Sequence, residues 1–98
     1  MSIEIGLKGR SETVVTEQNT ANAIGSGLVP VFATPHMVAL MENASANSLL
    51  PYLAEDEGTV GTQLNVAHSS ATPIGMKVWA ESTVTSVEGK KICFEVVA

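Results

Sequence analysis

Charge, sulfur and aromatic rings are all scarce in this 98-residue chain, and each scarcity excludes something. Charged residues make up 15% of it, with five Lys and Arg against ten Asp and Glu, for a net charge of −5. A nucleic-acid binder needs a basic stripe to displace counterions from phosphates, so nucleic acid is not expected as a partner. The one cysteine, Cys93, forbids an internal disulfide and fits a reducing compartment; it reads as an inert core or strand residue. Aromatic residues are limited to Phe32, Tyr52, Trp79 and Phe94, which leaves the core to Val, Ile, Leu, Met and Ala. No window approaches the ~18 continuous apolar residues of a membrane span. The N-terminus also lacks the basic end and apolar centre of a signal peptide. These absences predict a cytoplasmic protein that engages no membrane. An apolar content of 45% is too high for disorder and suits a single domain, residues 1–98, around one core.

What is present reads as one helix and several strands. Ile3, Ile5 and Leu7 alternate with Ser2, Glu4 and Gly6, and Thr13-Val14-Val15-Thr16 is β-branched, so the first segment favours strand. The run from Asn19 to Ile24, closed by Gly25, suggests a short helical turn and then a loop. From Pro35 to about Leu50 the chain is helix-forming, with Met37, Leu40, Met41 and Ala44 on one face. Val38, Glu42, Ser45 and Leu49 form the adjoining stripe, which puts Glu42 beside the core; Asn43 and Asn47 turn to solvent. Pro51 should end this helix. After the acidic turn Glu55-Asp56-Glu57-Gly58, Val60, Thr62, Leu64, Val66 and His68 share one face of a strand. A long strand from Met76 to Val87 follows, with Met76, Val78, Ala80 and Val84 inward and Lys77, Trp79, Glu81 and Thr83 outward. Glu88-Gly89 turns the chain into a last strand carrying Ile92, Phe94 and Val96. The architecture expected is α+β, an antiparallel sheet packed on one long helix.

The richest stretch for chemistry runs from Val31 to Glu42. Thr34 is a good N-cap, because its hydroxyl can accept an unpaired backbone N–H, and Pro35 fits the first helical position. Glu42 lies eight residues after Thr34 on the same helix. His68 is the general-base candidate, since imidazole exchanges protons near neutral pH; its plain alternative is a hydrogen-bonded structural histidine. His36 follows Pro35, but no close ligand spacing joins it to His68 and Glu42, so no metal is expected.

Four blocks then resemble hot-dog-fold thioesterases of the fluoroacetyl-CoA thioesterase type. They are Val31-Phe32-Ala33-Thr34-Pro35, Val38-Ala39-Leu40-Met41-Glu42, Glu57-Gly58 with Val60-Gly61-Thr62, and Asn65-Val66-Ala67-His68 with Ala71-Thr72-Pro73-Ile74-Gly75-Met76. The resemblance runs from about Gly6 to Ala98, and the Thr34–Glu42 and Glu42–His68 intervals of 8 and 26 residues are similar to that family's active-site trio. It implies a hot-dog fold, a sheet wrapped around one long helix, and a homodimer or higher homo-oligomer. It also implies hydrolysis of an acyl-CoA thioester, with CoA as part of the substrate and no separate cofactor. Thr34, Glu42 and His68 become the catalytic set, and Gly61, Leu28 and Phe32 the substrate contacts. Gly61 resembles the backbone donor opposite the helix mouth; its ordinary alternative is a bulge or close packing.

Two departures shape the expectation. Leu28 stands where the family carries an aromatic gate, so the resemblance implies a general short-chain acyl-CoA rather than fluoroacetyl-CoA. The family also continues past the equivalent of Ala98 with another strand, lying between the last strand here and the one containing Val66. Either the sequence is a shortened one, a partner chain fills the gap, or the sheet closes differently; the expectation is an altered dimer, with strand exchange as one form of it. Glu42 would orient His68 or activate water, and Thr34 would attack the thioester or only position it. Lys77, Lys90 and Lys91 are candidates for CoA phosphates, with a solvated strand end as the default. The competing reading is a non-catalytic, truncated hot-dog dimer that binds a small acyl-like ligand or serves assembly.

Overall fold

The computed structural model describes residues 3–98. Its sheet has three antiparallel strands in the order β1 (Lys8–Val14), β2 (Lys77–Glu88), β3 (Lys91–Val97). Helix α1 (Ala21–Ile24) is a single turn closed by Gly25 in the left-handed region at φ 76°. The long helix α2 (Thr34–Leu49) lies across one face of the sheet, and a 3-10 turn, Leu50–Tyr52, ends it at Pro51 as expected. This is the expected α+β arrangement.

Burial explains the packing. Met37, Leu40, Ala44, Ser48 and Leu49 are the buried positions of α2, and Met37, Leu40 and Ala44 form one core cluster with Val78 and Ala80 of β2, Val15 and Phe32. A fully buried Leu or Met contributes about 1.5–3 kcal/mol, so the helix is held by its apolar stripe. Glu42 departs from the expectation: it is exposed, because the stripe through Val38, Ser45 and Leu49 marks the flank of the helix and not its core face. Asn43 and Asn47 are exposed as expected, yet engaged. Ser11 donates to Asn43 Oδ1 at 2.7 Å, and Asn47 Nδ2 donates to the same oxygen at 3.1 Å.

Three strand expectations need correction. The first segment is a strand only from Lys8: the chain turns at Gly6, φ 94°, Gly6 and Leu7 exchange backbone bonds with Val84, Ile5 is exposed, and Ser2 lies outside the described residues. Met76 is exposed, because β2 begins only at Lys77 and Met76 belongs to the turn after Pro73. The strand expected from Val60 to His68 has no ladder at all. An extended run becomes a strand only by exchanging hydrogen bonds with a neighbour, and among the described residues the sheet's ladders join β1, β2 and β3 and leave 60–68 without a partner strand. The hairpin is as read, with Gly89 at φ 59° supplying the positive angle of its two-residue loop. Among the described residues, no helix is long and apolar enough to cross a membrane.

Helix and sheet approach most closely at Gly9. A Cβ there would collide with the Ala44 carbonyl oxygen and lie 2.8 Å from Ser48 Cβ and 2.9 Å from Ser82 Oγ. Ser82 Oγ is fully buried and has no hydrogen-bond partner. Gly9→Ala is therefore expected to lower stability by about 1–3 kcal/mol through overpacking. Ser82→Ala, which removes a buried unpaired hydroxyl, should be neutral or raise it. Thermal denaturation of the two variants beside wild type checks both signs.

Candidate active site

Residues 31–33 place the mouth of α2 by pairing on both sides. Ala21 donates to the Val31 carbonyl at 2.8 Å and Ala33 to that of Asn19 at 3.0 Å. On the other side Phe32 donates to the Thr72 carbonyl at 2.8 Å, and Val31 bridges Pro73. The segment after Gly58 is thereby tied beside the helix start, which brings residues 34 and 68 together across 34 positions of sequence.

Their side chains meet: Thr34 Oγ1 lies 2.7 Å from His68 Nδ1. The cap expectation is corrected by this bond. Ala33 is the N-cap, Thr34 and Pro35 are the first two helical residues, and the Thr34 hydroxyl makes no capping bond. The first intrahelical bond runs from Met37 N–H to the Ala33 carbonyl at 3.0 Å. The N–H groups of Thr34 and His36 thus have no helical acceptor and carry the positive end of the helix dipole.

A cleft of about 200 Å³ opens at this pair, walled by Val31 and Phe32 with Ser26, Ser69 and Ser70 at its edges. Phe32 is also a core residue, 2% exposed, so the wall is fixed. Leu28, 95% exposed, does not line the cleft, although Ser26 on the same loop does. The serines were absent from the sequence reading; the adjacency of Ser69 and Ser70 to His68 was the signal for two of them.

Glu42 is held apart from His68. Eight residues of helix put its Cα roughly 12 Å from that of Thr34 along the axis. Among the described residues no hydrogen bond links it to the imidazole, whose Nδ1 faces Thr34. Its carboxylate lies instead against Gly61, with Oε2 2.9 Å from where a Cβ on that glycine would stand. Gly61 therefore sits two turns along α2 and does not line the cleft at the helix mouth. His36 packs toward Phe32, ring centroids 6.4 Å apart, and among the described residues no group of three His, Cys, Asp or Glu is placed to hold a metal. Lys77 is paired with Glu12 at 3.2 Å on the outer face of the sheet; Lys90 and Lys91 are exposed at the hairpin, and Cys93 is half-buried.

The family model FlK, fluoroacetyl-CoA-specific thioesterase, matches residues 15–98. The chain belongs to that family. A curated relative, the fluoroacetyl-CoA thioesterase of Streptantibioticus cattleyicolor, is 44% identical over 68 residues, which are 69% of this chain and 49% of that one. The match thus spans about half the length of that relative. A solved structure of the fluoroacetyl-CoA thioesterase superposes with a TM-score of 0.91 at 32% identity, covering 98% of this chain and 76% of the other. A mutant of it in complex with fluoroacetate and CoA gives 0.87 at 34%, with 96% and 80% covered. A Thermus thermophilus thioesterase superfamily member gives 0.87 at 31%, with 97% and 70% covered. The helix and three-stranded sheet are those of the hot-dog structures.

The 2.7 Å bond is also a tie between α2 and an otherwise unpaired segment. His68→Ala should raise amide hydrogen exchange across residues 58–68 while changing global stability by no more than about 1 kcal/mol. Exchange measured by mass spectrometry, set beside a thermal melt, checks the split.

Proposed function

We propose that this protein hydrolyses a short-chain acyl-CoA thioester to a carboxylate and free CoA. The observation that carries the reading is the Thr34 Oγ1–His68 Nδ1 distance of 2.7 Å at a helix N-terminus. That separation is within general-base reach of a nucleophilic hydroxyl. His68, unprotonated at Nδ1, takes the Thr34 proton as Oγ1 attacks the thioester carbon. The developing oxyanion draws on the free N–H groups of Thr34 and His36 and the positive helix end. The proton then passes from His68 to the CoA sulfur as the C–S bond breaks. Water hydrolyses the acyl-Thr34 ester, with Glu42 as its base and the proton returning to Thr34. Gly61, beside that carboxylate, offers a third N–H to a carbonyl drawn between the two groups.

Size supports a small acyl group. The cleft of about 200 Å³ lies below the ~300–1,000 Å³ typical of sites for drug-sized ligands, so a few carbons fill it and CoA extends outside. Phe32 walls the acyl site, and Leu28 stands at the loop an incoming chain passes. Solved relatives described as complexes with acetyl-CoA, and with fluoroacetate and CoA, agree with that substrate class.

We also infer a homodimer or higher homo-oligomer, strand-exchanged at the unpaired segment. Val60, Leu64 and Val66 are 87%, 56% and 42% exposed there, on backbone with no ladder partner, and such edges invite association. The non-catalytic reading shares this feature and differs only in lacking turnover.

Thiol release from a panel of acyl-CoAs should show a pre-steady-state burst and an acyl adduct on Thr34 by mass spectrometry. Thr34→Ala should abolish burst and adduct, and His68→Ala should lower kcat roughly 10²–10⁴-fold. Saturable acyl-CoA binding with no thiol release would instead establish the binding module. Sedimentation should give a dimer or larger species, and Leu64→Lys should shift it toward monomer; a wild-type monomer overturns the association reading.

A further inference from the structure

We propose that Gly61 is a positioning residue for Glu42, and that its missing side chain is what lets the carboxylate take its working place against the 58–68 segment. Glycine is not needed here for backbone reasons. The positive φ angles of glycine fall at Gly6, Gly25, Gly75 and Gly89, so the chain at Gly61 is open to any L-residue. One neighbour restricts it. A Cβ at Gly61 would stand 2.9 Å from Glu42 Oε2 and 4.0 Å from Glu42 Cδ, with no other group within 4 Å. The conflict is with the far end of a flexible side chain, and it is relieved by moving the carboxylate rather than by unfolding.

Gly58 and Gly9 show the contrast. Gly58, three residues upstream on the same segment, would place its Cβ in open space. Gly9 would drive its Cβ into the helix backbone, a conflict that only the fold can relieve. Gly61 differs from both, because its emptiness is matched to one ionisable group. Glu42 has no ion pair among the described residues, and its exposed side chain has little else to hold it. The backbone at Gly61 is therefore the surface that sets where the carboxylate rests. The effect on turnover rests on the hydrolytic reading; the contact itself does not.

The test uses the full chain with 13C-labelled glutamate, the Glu42 carboxyl resonance being assigned by its loss in Glu42→Gln. Gly61→Ala should shift that resonance and Gly58→Ala should leave it unmoved, with thermal midpoints unchanged in both. Reciprocally, Glu42→Gln should shift the Gly61 amide resonance. In turnover, Gly61→Ala should lower kcat by roughly tenfold or more with KM held, the pattern of a base displaced from its water. Added to Glu42→Ala, it should cause no further loss. A Glu42 resonance unmoved by Gly61→Ala overturns the proposal, as does an equal kcat loss in the Glu42→Ala background. A shifted resonance in a protein without thiol release upholds the positioning and overturns the hydrolytic reading.

Discussion

The short extended piece from Val31 to Ala33 is where this structure is joined. It exchanges hydrogen bonds with Asn19 and Ala21 on one side, donates to Thr72 on the other, and leads directly into α2. Two segments that share no ladder are aligned by it: the turn around Thr20, and the chain that returns at Thr72 toward β2. Because those bonds are between backbone groups, they set the position of residue 34 and of the segment ending at residue 68 independently of the side chains between. The hydroxyl–imidazole pair follows from that framework.

The same framework divides the polar groups of α2 into two stations. At the helix mouth, Thr34, the free N–H groups and His68 form one; two turns along, Glu42 against Gly61 forms the other. A thioester has two parts that need such stations, a carbonyl that gains charge and an incoming water that loses a proton. In the proposed reaction the helix end serves the first and the carboxylate the second. The spacing of roughly 12 Å between the two Cα positions is set by helical rise alone. It shortens at the side chains, because long helical side chains lean toward the N-terminus.

Stability and association trade on different surfaces. The helix–sheet contact through Gly9, Ala44, Ser48 and Ser82 is close enough that even a methyl group disturbs it. The 58–68 segment is the reverse: it belongs to no ladder and leaves Val60, Leu64 and Val66 exposed. The first surface makes the fold specific. The second is the surface on which the proposed association rests.

Period and punctuation made much of this legible before any coordinates. The 3.6-residue spacing of Met37, Leu40 and Ala44, the stop at Pro51, the left-handed Gly25 and the alternation through Val78, Ala80 and Val84 each report local backbone geometry. Local geometry is written in neighbouring residues, and the four family blocks named Thr34, Glu42 and His68 as the candidate site. Three things were not legible. Thr34 reads equally well as a cap or as a free hydroxyl, and only the arrival of His68 from 34 residues away resolves it. Alternation at Val60 to Val66 announces an extended chain, yet pairing depends on a neighbour that local pattern does not name. Glu42 shares a stripe with buried residues, but its exposure is decided by which flank of α2 the sheet leaves uncovered. In each case the deciding contact joins residues distant in the chain, so folding had to bring them together first.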